Sequence, residues 1–164
     1  AKSWAKQFAP GARMFAGLTS GYRYLETWFT GGHGARGVYA DFLDEAAVIL
    51  QKPALNEVAE QFRVCAKLWE ALTCALLPDN IAPFKHARDL IDQNYTLFLK
   101  HGSAAQPERA EVRKQLKQLE AEVAADFPLS EVEAAAMRGD LRDRVLAIHK
   151  AEQIAVTMLS DSLI

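Results

Sequence analysis

Hydrophobic residues recur every three or four positions along almost the whole chain, which is the spacing of an amphipathic α-helix. Two of the clearest runs follow Pro53 and Pro107. No window alternates apolar and polar residues beside a hairpin turn, as a β-strand would. The pattern therefore predicts an all-α fold, a single compact domain of about seven helices that spans residues 1–164.

Proline, glycine and capping residues indicate where the predicted helices begin and end. Pro53 interrupts one apolar run, and Gly102 ends another. Ser130 and Glu133 have the spacing of a capping box, which predicts a short helix there. Gly139 then marks the expected start of a separate last helix.

Three patterns predict how the helices pack. The helix after the glycine-rich segment carries apolar residues at helical spacing: Val38, Phe42, Leu43, Ala46, Ile49 and Leu50. The charged helix 108–126 has a 4-3-4 apolar stripe, which is typical of a solvated amphipathic helix but is also compatible with a dimer seam. Cys65 and Cys74 are nine residues apart and so lie on opposite faces of one helix. Both are expected to be small buried apolar residues.

The second predicted helix contains two glycines, and their role can be interpreted in two ways. Gly17 and Gly21 either weaken that helix or allow a neighbour to pack closely against it.

Composition narrows the function classes only slightly. The chain has 164 residues, 50% of them hydrophobic, and a net charge of −2. This charge gives no argument for a nucleic-acid or membrane partner. No signal-peptide pattern or long apolar stretch is present, so a soluble cytoplasmic protein is predicted. The chain begins with Ala1 rather than Met, which suggests a piece of a longer protein.

The most distinctive segment is glycine-rich and leads directly into a predicted helix. Successive N–H groups of Gly31, Gly32, His33 and Gly34 could bind an anion. Thr30 is a further donor, and Arg36 adds a charge-assisted contact.

The alternative is a tight turn between two helices. In that turn Gly31 or Gly32 has the left-handed conformation of a helix end, and Gly37 lets two helices approach each other.

His33 is the candidate catalytic residue, because imidazole titrates near neutral pH and this histidine lies in the glycine-rich segment. A solvent-exposed histidine without a chemical role is the alternative. Glu26, Tyr39 and Asp41 flank the segment together with Arg36, and they could support its shape or line a pocket.

No metal site is predicted. His149 and Glu152 share a helical face, but their order is the reverse of the Glu-x-x-His motif of di-iron bundles and occurs once.

The run from Thr30 to Ala46, TGGHGARGVYADFLDEA, resembles the C-terminal helical domain of the family typified by butirosin biosynthesis protein H. Glu26, the helix around Trp69 and the final helix with Glu152 are also similar to that family. His33 stands where the family pattern has a third glycine, and Ala35 stands where it has phenylalanine.

The resemblance implies transfer of an acyl group from a carrier-protein thioester to an amine. It implies an N-terminal papain-like domain or chain with the nucleophilic cysteine and its histidine, and an acyl carrier protein as partner. No cofactor is expected beyond a phosphopantetheine-bound acyl donor, which Thr30, Gly31, Gly32, His33, Arg36 and Tyr39 would bind with support from Glu26 and Asp41. The alternative function is a non-catalytic helical interaction or oligomerisation module, including a homodimer, in which the glycine turn is purely structural.

Overall fold

The structure is a computed structural model that describes residues 4–28 and 33–163. Its elements follow in chain order: α1 (Trp4–Gln7), α2 (Ala12–Arg23), a π-helical turn (Tyr24–Trp28), a 3-10 turn (His33–Ala35), α3 (Arg36–Ile49), α4 (Ala54–Leu76), α5 (Ala82–His101), a second 3-10 turn (Gly102–Ala105), α6 (Gln106–Ala125) and α7 (Glu131–Leu163). No strand occurs in these residues, so the prediction of an all-α fold is confirmed. About seven helices were predicted. Within the same ranges α1 and α2 have 12 residues or fewer, and five helices, α3 to α7, are longer.

The last two predicted helices are a single helix, α7, of 33 residues. Its capping box is present: the backbone N–H of Ser130 donates to Glu133 Oε2 at 2.8 Å, and the N–H of Glu133 donates to Ser130 Oγ at 3.3 Å. Gly139 does not begin a new helix. A glycine within a helix costs only about 1 kcal/mol, and the packing of Leu141 and Ile148 on the core favours continuation.

Two apolar clusters form the interior. The first lies among α2, α5, α6 and parts of α4 and α7, and its aromatic centre is Phe15 against Phe84, with ring centroids 5.5 Å apart. The second is formed by α3, the first half of α4 and the last part of α7. Leu68 packs against both clusters. Because α4 and α7 run through both, they hold the two halves of the fold together.

Helix α3 buries only part of the apolar set that its sequence predicts. Ala40, Leu43 and Ala47 are buried. Val38 and Phe42 are 69% and 56% exposed. Ala40, Leu43 and Ala47 lie in the cluster that α3 shares with α4, whereas the side chains of Val38 and Phe42 point away from it.

Helix α6 packs its 4-3-4 stripe into the interior of its own chain. Val112, Leu116, Leu119 and Val123 are all buried in the first cluster. The amphipathic interpretation is therefore confirmed, and the alternative of a dimer seam is wrong.

Glycine contacts support one packing prediction and overturn another. A Cβ on Gly17 would lie 2.6 Å from the ring of Phe8, and one on Gly21 would lie 3.4 Å from Leu76, so both are close-packing points. A Cβ on Gly37 would meet no atom of the described chain within 4 Å. None of the described helices therefore makes the close approach predicted at Gly37.

The two cysteines of α4 have different environments. Cys65 is buried and Cys74 is exposed, and both are free thiols. The prediction that both are buried is wrong for Cys74, because opposite faces of an amphipathic helix do not both meet the core.

Candidate functional site

The structure describes only part of the glycine-rich segment. Thr30, Gly31 and Gly32 lie outside the described residues, so their predicted roles in anion binding or in the left-handed turn stay predictions. His33 contributes the first backbone position of the 3-10 turn His33–Ala35. Its role as a catalytic residue also stays a prediction.

The turn into α3 is built from two successive residues with left-handed backbone angles. Gly34 has a φ of 66° and Ala35 a φ of 56°. Gly34 is buried, and a Cβ at this position would lie 3.3 Å from Cδ1 and Nε1 of Trp69. Glycine therefore serves both the backbone angle and the close approach of the indole. A left-handed turn was expected at Gly31 or Gly32, and the described residues show one at positions 34 and 35.

Arg36 joins this turn to the final helix. Its Nε donates to Glu152 Oε1 at 2.7 Å, and its Nη1 donates to the carbonyl oxygen of Gly34 at 2.8 Å. The indole Nε1 of Trp69 donates to the same Glu152 oxygen at 2.9 Å. One carboxylate on α7 therefore fixes side chains from α3 and α4.

The electrostatics of Glu152 match these contacts. Burial alone would raise the pKa of this carboxyl, but hydrogen bonds from Arg36 and Trp69 outweigh burial and hold the pKa below its usual value. The side chains of Arg36 and Glu152 are 35% and 27% exposed, so the pair lies at the edge of the interior. Burial raises the pKa of the nearby Cys65 thiol, and the charge of Glu152 adds to that effect. A thiol held in its neutral form is a poor nucleophile, which agrees with a structural Cys65.

Tyr39 and Asp41 make contacts separate from the ion pair of Arg36. The ring of Tyr39 packs edge-on against Phe62 with centroids 4.7 Å apart. Asp41 is exposed and accepts a hydrogen bond from Arg63 on α4 at 3.0 Å. Tyr39 is thus part of the packing between α3 and α4, and Asp41 belongs to a surface ion-pair group.

Glu26 lies in the π-helical turn, and its Oε1 is buried. Its charge acts on the neighbouring pair of Tyr22 and Asp92, in which the phenol donates to both carboxylate oxygens at 2.9 Å. Burial, together with the Asp92 carboxylate, raises the pKa of Tyr22, and burial also raises that of Asp92. In the described part of the chain the flanking residues therefore do not form one network. Arg36 contacts Glu152, Tyr39 contacts Phe62 and Asp41 contacts Arg63, whereas Glu26 acts electrostatically on Tyr22 and Asp92.

Residues 4–28 and 33–163 contain no group of three or more His, Cys, Asp or Glu side chains arranged to hold a metal ion. None of their helices is both long enough and apolar enough to cross a membrane.

Residue spacing did not identify the partners of Arg36. Glu152 is 116 positions from Arg36, and Trp69 is 83 positions from Glu152. No local pattern pairs residues so distant. On spacing alone, Glu152 was considered only together with His149, as a possible metal ligand. The resemblance alone associated Trp69 and Glu152 with the glycine-rich segment.

Residues 2–93 match the family described as "Domain of unknown function (DUF4872)". This chain belongs to that family. The family match includes the glycine-rich segment, Arg36 and Trp69, whereas Glu152 lies beyond it. No curated protein matches the chain, and no solved structure matches it.

Proposed function

We propose that this chain is the helical domain of an acyltransferase-like protein that moves an acyl group from a carrier-protein thioester to an amine. In this proposal the segment from Thr30 to Arg36 binds the phosphopantetheine of the donor. The partners are an acyl carrier protein and an N-terminal papain-like domain or chain that supplies the catalytic cysteine and histidine. The observation that carries the proposal is the fixed position of Arg36 at the start of α3.

Arg36 has the features of a phosphate-binding residue held ready for its ligand. Its bonds to Glu152 and to the Gly34 carbonyl use Nε and Nη1, and residues 4–28 and 33–163 supply no acceptor for Nη2. About a third of the side chain (35%) is exposed. A guanidinium whose orientation is already fixed loses less conformational freedom when it binds an oxyanion. Because Glu152 balances its charge, we expect phosphate binding that is specific but modest in affinity.

The test is a calorimetric titration of the whole chain with phosphopantetheine and, separately, with pantetheine, which lacks the phosphate. We expect pantetheine to bind at least about fivefold more weakly, because a charge-assisted hydrogen bond contributes on the order of 1–2 kcal/mol. Arg36→Gln should cause a similar loss for phosphopantetheine. Arg63→Gln is the matched control. Arg63 likewise joins two helices through an ion pair, but it connects α4 to Asp41 of α3, away from the contact of Arg36 with α7.

Two results would contradict the proposal. One is equal affinity for phosphopantetheine and pantetheine. The other is an equal loss of affinity in Arg36→Gln and Arg63→Gln, which would show that the loss reflects a general loosening of α3. Melting temperatures of both variants, recorded on the same samples, separate a loss of binding from a loss of stability.

One observation favours the alternative, a non-catalytic interaction or oligomerisation module with a structural glycine turn. Val38, Phe42 and Ile49 lie on one stripe of α3 and are exposed, Ile49 by 78%. Isolated exposed apolar residues are ordinary, but a stripe of three on one helix is typical of a surface that another protein covers. The contacts of Gly34 and Arg36, all within the chain, are also compatible with a purely structural turn.

Light scattering across a range of protein concentrations tests this alternative. A second copy seated on the stripe should give a dimer that Phe42→Glu dissociates into monomers, with Glu45→Gln, a change of charge on the same helix, as the control. A monomer at every concentration would exclude a homodimer through α3.

A further inference from the structure

A cavity of about 380 Å³ lies among the end of α2, the π-helical turn, α5 and α6. Its apolar wall includes Leu90 and Ile91 from α5 and Val112 and Leu116 from α6. These residues belong to the first apolar cluster, so the wall is continuous with the core. The volume is within the range of pockets that hold small organic ligands.

Three arginines line the same cavity: Arg23 from α2, and Arg109 and Arg113 from successive turns of α6. None of the described residues that line the cavity is acidic. Arg23 has a distant ion-pair partner in Glu120, at 3.9 Å. Three like charges around one cavity repel each other, and a bound anion would relieve that repulsion.

The two arginines of α6 are held in place by neutral groups. Arg109 Nε donates to Asn94 Oδ1 at 3.2 Å, and its guanidinium carbon lies 4.9 Å from the ring centre of Phe98. Arg113 Nη2 donates to Gln106 Oε1 at 3.4 Å. Within the described ranges neither arginine forms an ion pair with a carboxylate. Their positive charges are therefore oriented but not balanced, which is the arrangement that attracts an anionic ligand.

We propose that this cavity binds a small organic carboxylate with an apolar body. The carboxylate contacts Arg109 and Arg113, whose planar guanidinium groups match its geometry. The apolar body lies on the wall formed by Ile91 and Leu116, where its burial contributes most of the binding free energy. This proposal uses residues other than Arg36 and does not depend on the acyltransferase proposal.

The probe is 3-phenylpropanoate, titrated into the full chain labelled with ¹⁵N and followed by amide shifts in NMR spectra. We expect saturable shifts in residues 90–98 and 109–116. Two comparison ligands separate the contributions: 3-phenylpropan-1-ol keeps the apolar body without the charge, and acetate keeps the charge without the body. Each should bind at least about fivefold more weakly, because the alcohol lacks the charge that contacts the two arginines and acetate lacks the apolar body that the wall buries.

A variant pair completes the test. The double substitution Arg109→Gln and Arg113→Gln should weaken binding of 3-phenylpropanoate by about tenfold or more, since it removes two charge-assisted contacts. Arg142→Gln is the control, because Arg142 is an exposed arginine of α7 that contacts its neighbour Asp143. The same spectra show whether each variant is folded.

Three results would overturn the proposal. The first is the absence of saturable shifts in residues 90–98 and 109–116. The second is equal binding of the alcohol and the carboxylate. The third is a folded double variant that binds 3-phenylpropanoate as tightly as the Arg142→Gln control.

Discussion

The guanidinium of Arg36 and the carboxylate of Glu152 form an ion pair 2.7 Å long, although 116 positions separate them in the sequence. The pair fixes the start of α3 on α7, and the indole of Trp69 on α4 makes a second contact with the same carboxylate oxygen. Stability in this region therefore depends on one carboxylate that serves two donors.

Glu152→Ala should lower the free energy of unfolding by about 1–2 kcal/mol, because both donors lose their acceptor at a partly exposed site. Glu152→Gln keeps an oxygen for Trp69 and should cost less. Urea unfolding at neutral pH measures both changes. Asp143→Ala, which removes an exposed carboxylate from the same helix, should change stability by no more than about 0.5 kcal/mol. Equal effects of Glu152→Ala and Asp143→Ala would contradict this account.

The stability of the chain at acidic pH should depend on the ionisation of Glu152. The pKa of Glu152 lies below its usual 4.5 in the folded chain. The contribution of the Glu152 carboxylate to the free energy of unfolding is therefore complete above about pH 4.5. It is lost as pH falls through the lower pKa of the folded state. The stability difference between the wild type and Glu152→Gln should be constant from pH 7 to about pH 5 and shrink below it. A difference that grew on acidification would contradict the assignment.

Gly34→Ala should destabilise the chain by about 1–2 kcal/mol, because a side chain disfavours the left-handed backbone and the new Cβ would press on the indole of Trp69. Gly37→Ala is the matched control three residues later. It adds a Cβ inside α3 where no described atom lies within 4 Å. We expect it to be stabilising by roughly 0.5–1 kcal/mol. Thermal unfolding of both variants gives the comparison, and the same sign for both would refute it.

Tyr22 should make the chain sensitive to alkali. Burial, together with the neighbouring Asp92, raises the pKa of the phenol above its usual 10.0. The folded chain therefore keeps this proton where the unfolded chain releases it, and stability falls as pH rises above about 10. In Tyr22→Phe this part of the fall should disappear, at a cost of about 1 kcal/mol at neutral pH from the lost hydrogen bond. Urea unfolding between pH 8 and 11 tests both effects, and an unchanged slope in the variant would count against this role of Tyr22.

The two cysteines should differ in reactivity. Cys74 is exposed, whereas Cys65 is buried and its pKa is raised by that burial. A thiol reagent should modify one cysteine rapidly in the native chain and both after unfolding. In Cys74→Ser the rapid phase should vanish, and a persistent rapid phase would show that Cys65 is accessible.

Local signals in the sequence were enough to predict the positions of most helix ends. Proline at 53, glycine at 102 and the capping box at Ser130 all act within a few residues of the helix ends that they define. The exception was Gly139, because the packing of α7 outweighed its weak preference against helix.

Long-range packing explains what could not be predicted. The buried face of α3 depends on which side chains α4 allows close, and Ala40 and Ala47 fit there whereas Val38 and Ile49 do not. Hydrophobicity ranks those residues in the opposite order. The partner of Arg36 likewise depends on how α7 crosses the start of α3, and nothing in the sequence around residue 36 specifies that crossing.

The course of α7 also limits how the chain can be shortened for experiments. This helix supplies Ile148 to one apolar cluster and Ala155 to the other, but the family match ends at residue 93. A protein trimmed to residues 2–93 would expose both interiors at once and would be expected to aggregate. The end of the family match is therefore unsuitable as the end of an expressed fragment. Useful fragments should extend through residue 163.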